Sequence, residues 1–138
     1  MGENTGIEYA WRALKSHPHL LVRDTLAKLF VEASAGAETA DQTLAELARF
    51  AAGEKPGTRL RELRTEESLP LFDAGGLIER FAPLADYVAD RAQRFEAARG
   101  WIHEKQLESD PLERARAAWD AGLFFEVHEI PVSYTHLR

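Results

Sequence analysis

Two carboxylates and an imidazole stand within four positions of one another in the stretch AWDAGLFFEVHEI, as Glu126, His128 and Glu129. Carboxylates are hard-cation ligands, and an imidazole titrates near neutrality, so these residue types suit metal-assisted or general-base chemistry. On a helix turning about 100° per residue, Glu126 and Glu129 are neighbours at i, i+3, and could share one cation. His128 falls beside Phe124 at the edge of the apolar arc made by Leu123, Phe124, Val127 and Ile130. The Phe125 ring separates it from the two acids, so a metal site would need further ligands from elsewhere.

Known metal patterns do not fit. A zinc-protease helix requires H-E-x-x-H, and three residues after Glu129 stands Val132. A di-iron bundle requires Glu-x-x-His, whereas Glu126 and His128 are two apart. His103-Glu104 has no second histidine in register. There is no nucleophile elbow and no phosphate-binding glycine loop. The competing reading is structural: His128 donates a hydrogen bond across the Gly122 turn to Asp120, and Glu126 complements the positive end of the new helix, worth about 0.3–1 kcal/mol.

The stretch WDAGLFFEVHEI resembles the signature of domain-of-unknown-function family 309, small all-helical proteins of bacteria and archaea. That signature reads approximately F-N-x-G-x-[FY]-[FY]-E-x-H-E-x-L-E-x-x-W. Trp119 stands at its first aromatic position, Asp120 at its Asn and Gly122 at its turn glycine. Phe124 and Phe125 match its aromatic pair, and Glu126, His128 and Glu129 its polar core. The likeness covers about residues 110–130 and implies a helical hairpin without a defined activity. After Ile130 the two diverge, because the chain continues PVSYTHLR where the signature has Leu, Glu and Trp. Proline inside a helix loses an amide bond and clashes with the preceding turn, at about 3 kcal/mol. Residues 131–138 also look like translated adapter sequence, which predicts a non-native tail on a C-terminally truncated bundle. An apolar Phe124/Phe125 surface left by the interrupted helix predicts self-association of such a fragment.

The elements that must position these groups are helical. Ile7, Trp11 and Leu14 recur at i, i+4, i+7, and Val22, Leu26, Leu29 and Phe30 form a second stripe. Thr39 and Gln42 have capping-box spacing ahead of Leu44, Leu47, Ala48 and Ala51, and Gly53 marks a stop. Leu60 and Leu63 lie on a short segment, and LPLFDAGG reads as a connector. Pro83 suits the first turn of a long helix carrying Leu84, Val88, Phe95 and Ile102 on one side and running through Gly100. Ser109 or Asp110 can cap the next helix, with Pro111 at its first position, Leu112, Ala115 and Trp119 inward, and Gly122 at its end. A new helix from Leu123 closes a tight hairpin. No strand pattern competes, so the fold class is all-α. The organisation is a helical region over 1–108, a hairpin over 109–130, and the tail. Phe72-Asp73-Ala74-Gly75 with Glu79 echoes Trp119-Asp120-Ala121-Gly122 with Glu126. The echo reads either as a duplicated corner or as coincidence in an Ala- and Gly-rich chain.

Bulk properties narrow the partners. The 138 residues carry a formal charge of −6, which opposes phosphate binding. In the best basic candidate, TRLRELR, Arg59, Arg61 and Arg64 share no helix face, so a nucleic-acid accessory role is the weakest reading. No apolar run approaches the roughly 18 residues of a membrane span. The N-terminus carries no secretory pattern, and Gly6 spoils an acylation signal. With no cysteine, a cytoplasmic location is expected. The leading expectation is therefore a helical module acting through protein or small-ligand contacts, with no cofactor. The alternative is a metal-assisted, hydrolase-like activity with Glu126 and Glu129 as ligands of a divalent cation and His128 as ligand or general base.

Overall fold

The computed structural model describes residues 17–132, and the stripe at Ile7, Trp11 and Leu14 and the tail from 133 lie outside them. The described residues form six α-helices: α1 (Pro18–Ser34), α2 (Glu38–Ala51), α3 (Thr58–Glu62), α4 (Ala85–Glu104), α5 (Pro111–Asp120) and α6 (Phe124–Glu129). The chain is all-α, a helical bundle with one small addition: a two-stranded antiparallel hairpin, β1 (Phe72–Asp73) and β2 (Gly76–Leu77). That hairpin corrects the expectation of no strand. Strands of two residues are too short to carry the alternation by which a strand is read from sequence.

Helix α1 lies at the centre. It packs against α2, α4 and α6, so Leu21, Val22, Leu26, Ala27, Leu29 and Phe30 are buried around most of its circumference. Pro18 opens it, where a missing amide hydrogen costs nothing, and the His17 imidazole accepts from the His19 amide at 3.2 Å. The rings of Phe30 and Phe95 stack at 5.0 Å between α1 and α4. Val88, Phe95 and Ile102 are buried as expected, and α4 runs unbroken through Gly100. A 3-10 turn over Ala82–Leu84 holds Pro83 just ahead of α4. Leu44 and Leu47 bury the inner face of α2, and Arg99 of α4 forks onto Asp41 of α2. The hydrogen bond from Arg99 holds the Asp41 carboxyl below its ordinary range.

Two local expectations change. Helix α2 begins at Glu38 behind an Ala37 cap, so Thr39 sits inside the first turn and Gln42 reaches Glu38 instead of closing a capping box. On α5, Asp110 is the cap, accepting from the Glu113 amide at 3.2 Å. Its inward face is Arg114, Ala115, Ala117 and Ala118, whereas Leu112 and Trp119 are 40% and 56% exposed. Ala97, Ala98 and Ala117 border a hollow of about 260 Å³ between α4 and α5. Trp119 is turned outward onto Phe124, ring centroids 4.7 Å apart.

The core is continuous from Leu21 to Ile130, so Leu123 and Ile130 of the terminal hairpin share it with α1, α2 and α4. Among the described residues no helix is long and apolar enough to cross a membrane.

Candidate functional site

The corner at Gly122 is built by backbone hydrogen bonds before any side chain acts. The Leu123 amide donates to Ala118 O at 2.9 Å and the Gly122 amide to Trp119 O at 2.9 Å, the paired pattern that closes a helix through a left-handed residue. Gly122 has φ +78°, a conformation that L side chains rarely adopt. Arg94 of α4 donates from Nη1 to Ala121 O at 2.9 Å, and a Cβ on residue 122 would overlap that same nitrogen. The positive φ therefore favours glycine, and any side chain here would also have to displace the Arg94 guanidinium. At the far end Ile130 is extended, as the residue before a proline is driven to be, and α6 stops at Glu129.

Within this short helix the polar residues separate. Glu126 is completely buried (0% exposed) and faces Arg91 of α4, with Oε2 3.3 Å from Nε. Neither Glu126 oxygen nor Arg91 Nε completes a hydrogen bond, so the pair meets as charges in contact. Burial pushes the Glu126 carboxyl above its ordinary value, opposed by its own backbone amide and by Arg91, Arg23 and Arg94. Burial would lower the Arg91 guanidinium, yet Glu126, Tyr87 and Asp90 together outweigh it and hold Arg91 up. Its guanidinium also lies 5.0 Å from the Tyr87 ring centroid. Arg23 of α1 covers the Phe125 ring at 3.9 Å while pairing with Asp24 at 2.9 Å. Three arginines from two helices thus clamp α6: one on its buried acid, one on its entering carbonyl, one on its ring.

His128 and Glu129 are exposed, whereas Glu126 is buried. The His128 Nδ1 donates to Phe124 O at 2.9 Å, one helical turn back, where a contact with Asp120 had been expected. A carbonyl four residues earlier lies directly under a helical side chain, while Asp120 is exposed on the side facing Trp101 and Ala97. Glu126 and Glu129, expected as neighbours around one cation, are divided between interior and surface. Among the described residues no three His, Asp or Glu groups gather closely enough to hold a metal ion.

Phe125 and Glu129 instead form one wall of an open cleft of about 490 Å³ whose opposite wall is α1, with Arg23, Lys28 and Val31. Arg23, Arg91, Arg94 and the α1 wall were missed by reading along the chain. The hairpin groups they hold lie 27 or more positions away, and a solvated helix face reads the same as a clamp. Arg59, Arg61 and Arg64 are each held locally, by Glu46 at 3.9 Å, by Thr58, and by the Arg61 and Leu63 carbonyls. No family model, curated protein or solved structure matches this chain.

Proposed function

We propose that this chain is a cytoplasmic helical contact module whose terminal hairpin, of the family 309 type, forms one wall of a binding cleft. Its Glu126 and the arginine clamp hold the hairpin in place, and Phe125 and Glu129 meet a protein or small ligand. The observation that carries this reading is the difference in burial between Glu126 and Glu129, neighbours on α6. The buried acid is engaged by Arg91 at 3.3 Å, while the exposed one lines the 490 Å³ cleft beside Phe125. A clamp that rigidifies one wall lowers the entropy lost when a ligand binds there, which favours contact over a floppy terminus. The cleft is lined mainly by charged side chains, with Val31, Phe125 and Pro131 supplying its apolar surface.

The test is a titration of the isotope-labelled protein with a small-fragment library, followed by amide chemical shifts, and in parallel with Mg²⁺, Mn²⁺ and Zn²⁺. Perturbations centred on Val31, Phe125 and Glu129 with fragments are the expected result. A stoichiometric metal response at Glu126, His128 and Glu129, with the cleft silent to every fragment, would replace contact with metal-assisted chemistry.

A further inference from the structure

We propose that the cleft between α1 and α6 docks a basic peptide segment of a partner protein, anchored by apolar side chains. This rests on the contact reading above and names the occupant. The first observation is shape. The 490 Å³ hollow and a second of about 190 Å³ share Asp24, Lys28, Glu32 and Glu66, so they form one trough along α1 that extends to Leu63, Arg64 and Thr65. A trough of two linked hollows fits an elongated chain better than a compact molecule.

The second observation is charge. Glu32, Glu66 and Glu129 are exposed along the trough, and none forms an ion pair among the described residues. Asp24 is already taken by Arg23, and the Arg23 guanidinium is itself laid over Phe125. Among the described residues these three carboxylates thus face Lys28 and, in the smaller hollow, Arg64, which is turned onto the Arg61 and Leu63 carbonyls. The acidic excess therefore lies in the larger hollow, in a chain of net charge −6. The field in the larger hollow, where four carboxylates meet two cations, favours a cationic partner over phosphate backbones. The acids do not converge into a metal site. They surround Val31, Phe125 and Pro131, which offer an apolar bed. The matching ligand displays positive charges on either side of apolar side chains, which a peptide does through alternate residues along an extended strand or one helix face. A second copy of this chain would bring the same excess of negative charge.

The probe is a fluorescein-labelled peptide of sequence KLKFKLR, read by anisotropy at low salt with the full chain. Binding is expected, with shifts at the Val31 and Phe125 amides. Replacing the peptide's Leu and Phe by Ser should weaken it about tenfold, through loss of the apolar anchor. The protein variant Glu32→Lys/Glu66→Lys should also weaken binding about tenfold, whereas Glu79→Lys/Glu104→Lys, which changes net charge equally at exposed positions outside the trough, should cost about twofold or less. Circular dichroism melting of both variants confirms that they fold. Equal losses in the two variants would reduce the effect to net charge and overturn the proposal. So would equal binding of the serine peptide, displacement by spermidine at concentrations equal to the peptide, or dimerisation of the chain that the peptide reverses. If fragments still perturb Val31 and Phe125 while the peptide does not bind, the peptide proposal falls and the contact reading stands. If neither binds, both fall.

Discussion

The FDAG at residues 72–75 and the WDAG at 119–122 share an order of residue types and a glutamate at the same distance, yet they build opposite structures. At the first, Phe72 is buried against Phe50, Asp73 pairs with Gly76 across a two-residue turn, and its carboxylate accepts from the Gly75 amide at 2.8 Å. At the second, Trp119 is exposed, Asp120 makes no such bond, and Gly122 closes a helix. The glycine in the left-handed region is Gly76 in one corner and Gly122 in the other, one place apart in the pattern. The trailing glutamates diverge most: Glu79 is exposed and Glu126 is completely buried. The echo is therefore no duplicated corner. Short patterns of this kind permit turns, and the flanking partners choose among them.

That contrast breaks most severely at the buried acid. Arg91→Leu should cost about 3 kcal/mol in chemical denaturation, because removing one member of a buried pair strands the other. Adding Glu126→Gln to it should recover most of the loss. A double variant as unstable as the single one would show that Arg91 acts through packing alone. At the exposed counterpart, Glu79→Gln should move stability by less than about 0.5 kcal/mol.

The glycines come next. Gly122→Ala should destabilise by about 2 kcal/mol, from its positive φ together with the displaced Arg94. Gly75→Ala, whose Cβ would meet only Asp73 Oδ1 at 3.4 Å, should be close to neutral. Thermal melting of the two variants decides it, and equal shifts would mean that the corners are alike after all.

The pH dependence of Glu126 sharpens the same point. Its carboxyl is held above its unfolded value, so the proton is bound more tightly in the folded chain. The stability this confers is complete below the unfolded value and is lost as pH rises through the raised folded value. Glu126→Gln should therefore gain on the native chain as pH rises through that window, and match it most closely in acid. A gap between them that is constant with pH, followed by urea denaturation, would remove the linkage. Last, Asp73→Ala should cost about 0.5–1 kcal/mol for its lost turn bond, and Asp120→Ala almost nothing.

Much of the fold could be read from residue order. The stripes at Val22–Phe30, Leu44–Leu47 and Val88–Ile102 are helical because their 3.6-residue spacing leaves no other way to bury them together. Asp110, Pro111 and Gly122 act within one turn of themselves, so local chemistry suffices to place a helix start and a stop. The candidate site was legible as a set of residues and illegible as a geometry. Glu126 was expected beside Glu129 around one cation, because a helical wheel knows which residues are adjacent and cannot know which of them is covered.

Residue order alone thus decided that the chain is all-α, where its main helices run, and that it must turn sharply at Gly122. Tertiary structure decided that Trp119 is outside and Glu126 inside. The reason is that α1 and α4 reach the hairpin from positions remote in sequence, bringing the core that covers Glu126 and the arginines that surround it, while the Trp119 ring turns onto Phe124 at the surface. Burial is a property of what surrounds a residue, and those surroundings exist only once distant helices have met.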